Sequence, residues 1–160
     1  MVGGHPPFFL KGKNDGGDFP NQFVDNGDGT VTDETTGLMW EQGVSPKRLV
    51  YKKARAYVKE RNRKRYLGYT DWRMPTLEEL CSLLEPRPNA SGAYIAPLFR
   101  SGRTSCWTSD YYVGHRATVY YVVDFARGSI DQFAGSEGFG DLAITRFYEK
   151  CVVKLVRRAR

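Results

Sequence analysis

The densest chemistry in this sequence is electrostatic. From Lys47 to Tyr66 the run KRLVYKKARAYVKERNRKRY carries ten basic residues against one acid, Glu60. Arg48, Lys52, Arg55, Lys59 and Arg63 recur at three- and four-residue spacing, which places them on one face of a helix. Like charges that close weaken an isolated helix by about 0.2–0.5 kcal/mol per pair, so something else must compensate. Two readings stand side by side. One is a solvated face that keeps the protein in solution. The other is an electrostatic platform for an anionic glycan or an acidic protein surface, with nucleic acid the less favoured polyanion. Val50, Ala54 and Tyr57 supply the apolar stripe for packing such a helix, with Ser45 as its cap and Pro46 in its first turn.

A second group of chemistry-bearing residues follows Trp107. The stretch DYYVGHR presents Asp110, Tyr111, Tyr112, His115 and Arg116 on an expected loop. Tyrosines give large contact area with a polar tip and, like arginine, recur in recognition surfaces. The competing reading is that Tyr111 and Tyr112 cover the edge of the core.

Other residue sets fail on spacing. Asp25, Asn26, Asp28 and Asp33 suggest a calcium loop, but from Asp25 the third and fifth positions are Gly27 and Gly29, so the register is broken. Turn formation explains those side chains better. Two histidines, His5 and His115, and three scattered cysteines have no paired zinc spacing. Phosphate-loop and dinucleotide fingerprints are absent. The expectation is a protein without metal, cofactor or catalysis. Cys81, Cys106 and Cys151 are an odd count, which suits a reducing compartment better than a disulfide framework. Cys81 falls on an apolar helix face, where it reads as a small hydrophobe rather than a reactive thiol.

The elements that position these groups are legible in two segments. In FVDNGDGTVTDETTGLMW (Phe23–Trp40) short extended runs are separated by Asn26-Gly27, Asp28-Gly29 and Thr36-Gly37, giving a three-stranded meander. In GYTDWRMPTLEEL (Gly68–Leu80) Arg73-Met74-Pro75 is extended, Thr76 caps a helix and Glu79 completes a capping box. Leu77, Leu80, Cys81 and Leu84 make that helix's buried face, and Pro86 and Pro88 are its expected stop. Further on, Val119–Phe125 is apolar on both faces, which suits a central strand. Ala126–Ser129 then turns it into a hairpin partner through Ile130 and Phe133, and Cys151–Val156 reads as a closing strand beside it. Residues 134–146 are glycine-rich and expected to be irregular. Trp40, Trp72 and Trp107 are assigned to the core.

These segments, with SCWTSDYY, YYVVDFARGSI and CVVKLVR, resemble the bacterial domain family named after the C-terminal domain of a collagen-like adhesin, in order from Phe23 to Arg157. The most specific elements are DNGDGTVTD, TGLMW and DWRMPT. The resemblance implies an α+β, C-type-lectin-like domain with small twisted antiparallel sheets, two helices and long loops. It also implies a distant relation to formylglycine-generating enzymes and to the variable proteins of diversity-generating retroelements. Family members often carry a cysteine in the first helix and another in the closing strand, where this chain has Val58 and Leu155, so that link is missing.

Length agrees with one domain: 160 residues, 41% apolar and 14% aromatic, with net charge +6. The expected organisation is an irregular arm over residues 1–22 and one domain over 23–160. The opening residues lack a leader pattern, and no run approaches the ~18–20 apolar residues of a membrane span. The function these observations imply is a non-catalytic adhesin- or receptor-type recognition module for a protein or an anionic glycan. A retroelement-diversified receptor or an enzyme of formylglycine-generating type is the alternative. Oligomeric state is left open.

Overall fold

A computed structural model describes residues 19–115, 118–135 and 150–160. Chain order is β1 (Phe23–Asp25), β2 (Thr30–Asp33), β3 (Leu38–Glu41), α1 (Tyr51–Arg63), a 3₁₀ turn (Tyr66–Gly68), α2 (Leu77–Cys81), β4 (Ser105–Val113), β5 (Thr118–Asp124), β6 (Ser129–Gly135) and β7 (Val156–Arg158). The described residues form an α+β domain with two antiparallel sheets and two helices. Of the proposed arm, residues 1–18 lie outside the described residues.

The meander forms as its turn residues require. Asp25 Oδ1 accepts from Gly27 N at 2.9 Å, and Asp28 Oδ1 accepts from Thr30 N at 3.0 Å. Gly27 and Gly29 take φ of 75° and 89°, a region costly for any residue with a Cβ. Asp33, fully buried, accepts from Gln22 N, Thr35 N and Thr36 Oγ1. One oxygen each of Asp25 and Asp28, and both of Asp33, are therefore engaged within this segment, and Asp25 Oδ2 accepts from Gln42 Nε2.

The two sheets are β1-β2-β3-β7 and β4-β5-β6, with β5 central as its two-sided apolar pattern predicts. Alternation along β4–β6 divides the core. Cys106, Tyr121, Val123 and Phe125 pack with Trp40 and with Leu77, Leu80 and Leu84 around α2. Trp107 and Val122 pack with Trp72 and with Ala54 of α1. The second sheet is thus sandwiched between the helices. Trp40, Trp72 and Trp107 are 0%, 2% and 3% exposed, as assigned.

Cys151–Val156 does not form the expected strand beside β5. It is a seam whose backbone groups go to several neighbours. Val152 N donates to Ser105 O, while the carbonyls of Cys151, Val153, Leu155 and Val156 accept from Leu49, Ser45, Glu41 and Arg73. Only Val156–Arg158 continues as a ladder, and it joins β3. Hydrogen bonds shared among three loops and two sheets leave none for β5, whose edges β4 and β6 already fill.

The helices differ from expectation at their ends. Ser45 does not cap α1: its hydroxyl donates to Lys47 O and accepts from Val153 N, holding the approach to the helix against the seam. Val50 occupies the cap position without a side-chain bond. Leu49 and Tyr51, rather than Val50, pack beside Ala54, and Tyr57 and Val58 complete the inner side. Helix α2 has the full Thr76–Glu79 capping box, reinforced by a two-pronged Arg73–Glu79 pair at 2.7 Å. It ends at Cys81, before the prolines, because Leu83 N and Leu84 N bond back only three residues and wind the chain into turns. The hairpin partner β6 begins at Ser129 and runs through Gly135, so Ala134 and Gly135 are strand rather than irregular; residues 136–146 lie outside the described residues.

At the seam's centre Lys154 is fully buried. Its ammonium donates to Glu41 O, Gly43 O and Ser101 Oγ at 2.9–3.0 Å and lies 4.4 Å from the Phe99 ring centre. Desolvation nevertheless pushes its pKa down to about 8, with Glu41 opposing.

Removing one member of such a buried set leaves its partners unsatisfied, so we expect Lys154→Ala to lower unfolding free energy by about 3–5 kcal/mol in urea titrations. The pH dependence carries a sign. Because the folded pKa lies below the unfolded 10.5, the native state binds fewer protons in that interval. Stability attributable to Lys154 is present above pH 10.5 and lost as pH falls through 8. The stability difference between wild type and Lys154→Met should grow from pH 7.5 to pH 10; a constant difference would disprove the shift.

Candidate functional site

The basic run becomes a helix because one side has somewhere to go. Ala54 is buried, and Tyr51, Tyr57, Val58 and Arg61 flank it, while Lys52, Arg55, Lys59 and Arg63 stand exposed on the outer side. Burial of the inner side offsets the repulsion among the cations. Arg48 is exposed but precedes the helix, so it joins the stripe as a loop residue. Glu60, the one acid in the run, takes Arg63 at 2.7 Å and Lys64 at 3.0 Å. Those two hold its carboxyl down to about 2. Lys52, Arg55 and Lys59 have no acid within ion-pair distance among the described residues.

The tyrosine group is arranged differently from expectation. Asp110–Val113 is the end of strand β4, not a loop, because Tyr111, Tyr112 and Val113 pair in register with Tyr120, Val119 and Thr118 after an irregularity beyond Trp107. Strand alternation then sends the two tyrosines to opposite faces. Tyr111 lies 6.0 Å from the Tyr120 ring and 6.5 Å from Tyr51, on the α1 side. Tyr112 lies on the α2 side, opposite Val119. Both are about two-fifths exposed, at 40% and 42%. Asp110 Oδ2 accepts from Leu77 N at 2.6 Å, which ties this end of β4 to the start of α2. His115 is exposed in the turn after β4. Arg116 lies outside the described residues.

Tyr51 was not singled out from the sequence, and it joins the two surfaces. As the first residue of α1 it stacks on Tyr120 at 4.2 Å and meets Trp107 edge-on at 5.4 Å. Arg55 is one turn further along α1. Burial pushes the Tyr51 hydroxyl up to about 12, with Arg55 opposing, so the ring stays neutral beside the cations. The signal was its position three before Ala54, which the choice of Val50 for the stripe obscured. Chemically, the arrangement offers an aromatic cluster rimmed by exposed cations: stacking area beside diffuse positive charge.

Two of the thiols are held in the neutral form. Burial pushes Cys81 and Cys106 up to about 12, far above the range in which a thiolate forms at neutral pH. All three cysteines are thiols. Val58 and Leu155 belong to one apolar cluster. Among the described residues no group of three His, Cys, Asp or Glu side chains converges as metal ligands, and no helix is long and apolar enough to cross a membrane.

The family model described as the Lcl C-terminal domain matches residues 29–143, a span that includes α1, α2 and the tyrosine-bearing β4–β5 hairpin. No curated protein and no solved structure matches the chain.

Two measurements test this geometry. A double-mutant cycle of Tyr51→Ala with Tyr111→Ala should show a coupling of about 0.5–1.5 kcal/mol in stability, whereas Tyr51→Ala with Tyr112→Ala should be additive. Equal coupling in both cycles would mean that the tyrosines share a face. Thiol titration without reductant should find three thiols in denatured protein and a much slower reaction in native protein; a count of one would require a disulfide.

Proposed function

We propose that this chain, which belongs to the Lcl C-terminal domain family, is a non-catalytic recognition module of adhesin or receptor type for an anionic glycan. We read its two small sheets and two helices as a C-type-lectin-like scaffold. The observation that carries the reading is Tyr51, which makes the Tyr111–Tyr120 cluster continuous with the basic outer side of α1. Tyrosine rings offer apolar faces to the C–H surfaces of sugars, and the neighbouring Lys52, Arg55 and Lys59 offer charge to sulfate or carboxylate groups. A glycan is preferred to a protein surface because the face is rich in lysine, which protein interfaces deplete, and among the described residues it has one exposed aromatic, Tyr111. The shielded thiols support a binding role over the cysteine chemistry of formylglycine-generating enzymes.

The decisive experiment compares a sulfated hexasaccharide, its desulfated form and a single-stranded oligonucleotide across salt concentrations. Binding of the sulfated sugar should weaken steeply with salt, because each neutralised group releases counterions. Replacing Lys52, Arg55 and Lys59 together by glutamine should weaken it about tenfold or more and flatten the slope while leaving the melting temperature within a few degrees. Tyr111→Ala should weaken binding without changing the slope. Equal affinity for the desulfated sugar, or preference for the oligonucleotide, would refute the glycan assignment.

A further inference from the structure

The ten cations between Lys47 and Tyr66 are not equivalent. Those on the outer side of α1 are exposed, and two near its end are engaged by Glu60. Arg61 differs from all of them. It is partly buried on the inner side of the helix, and its guanidinium carbon lies over two rings, 4.7 Å from the centre of Tyr57 and 4.5 Å from that of Tyr66. Among the described residues no acid comes within ion-pair distance of it. Ring contacts cover guanidinium faces and restrict the side chain, and the Tyr57 hydroxyl engages one donor, while the remaining in-plane N–H groups meet no acid at ion-pair distance among the described residues.

The acid that acts on Arg61 is Glu41, buried in β3. Glu41 Oε1 accepts from Leu155 N at 2.9 Å, and Oε2 completes no hydrogen bond among the described residues. Burial raises this carboxyl, against the lowering influence of Lys154, Arg61 and Tyr66. The same burial raises Tyr57 and Tyr66, which stay neutral. Glu41 therefore acts on Arg61 through space without taking up the guanidinium fork as an ion pair.

We propose that Arg61 is a fixed anchoring residue for one oxyanion group, sulfate, phosphate or carboxylate, with Tyr57 and Tyr66 as the walls that hold its guanidinium in place. A planar fork with restrained rotamers gives a directional, two-pronged contact, which the lysines around it cannot supply. This rests on reading α1 as a polyanion face and adds a group beyond it: the outer cations attract, and Arg61, towards the far end of the helix on its inner side, fixes register.

The test follows the arginine Nε–Hε resonances of the wild-type chain by NMR during separate titrations with inorganic sulfate, inorganic phosphate and acetate at constant ionic strength. The Arg61 resonance should shift saturably, and which anion shifts it at the lowest concentration identifies the source. In Arg61→Lys, which keeps the charge and loses the fork, the sulfated hexasaccharide should bind about tenfold more weakly at 0.3 M salt with an unchanged salt slope. An Arg61 resonance that ignores all three anions, or wild-type affinity in Arg61→Lys, overturns the proposal. A saturable shift that appears only in Glu41→Gln also overturns it, since Arg61 would then serve Glu41. A shift with sulfate in a protein that fails to bind the hexasaccharide would keep the anion site and remove the glycan reading alone.

Discussion

The structure depends on how the backbone of residues 151–156 is shared. The backbone groups of Cys151, Val152, Val153, Leu155 and Val156 find partners in the chain before α1, in β3, in the extended corner at Arg73 and in β4. Because the segment belongs to no single sheet, it fixes the two sheets relative to each other. The buried Lys154 strengthens that arrangement by gathering Glu41 O, Gly43 O and Ser101 Oγ around one ammonium. The cost of desolvating the charge is offset in part by three hydrogen bonds and the face of Phe99. A seam of this kind is specific rather than merely adhesive, since any other register would strand the ammonium.

Helix α1 inherits its function from that seam. Leu49 pairs with Cys151 and Trp107 Nε1 donates to Leu49 O at 2.6 Å, so the helix start is fixed against β4. Its far end is fixed by Asn62, which both donates to Trp72 O and accepts from Trp72 N at 2.8 Å. A helix held at both ends can carry a density of positive charge that an isolated peptide would not tolerate. Its outer side is left for charge, and its inner side holds Tyr51 at one end and Arg61 at the other.

The second helix has a supporting part. Asp110 bonds Leu77 N at the start of α2, and the Thr76–Glu79 box and Arg73 rigidify the same corner. The end of β4 that presents Tyr111 is therefore anchored to a rigid element on the face opposite α1. Of the five residues grouped by sequence as one ligand surface, Asp110 is spent on this anchor and Tyr112 faces α2. Among the described members of that set, Tyr111 is the one placed with the aromatic cluster that adjoins the basic helix.

The sequence by itself determined whatever local chemistry decides. The Asn-Gly and Asp-Gly turns set the meander, Thr76 with Glu79 set the start of α2, and the two-sided apolar run of β5 placed it at the centre of its sheet. The motifs of those segments also carried the family. Tertiary structure decided what competes for distant partners. Ser45 looked like a helix cap but bonds Val153, more than a hundred positions away. Cys151–Val156 looked like a strand beside β5 but divides its hydrogen bonds among several neighbours. Which side of α1 faces inward, and hence the place of Tyr51 and Arg61, followed from where that seam fixes the helix. Periodicity reports that a stripe exists; only packing against particular neighbours says which residues bound it.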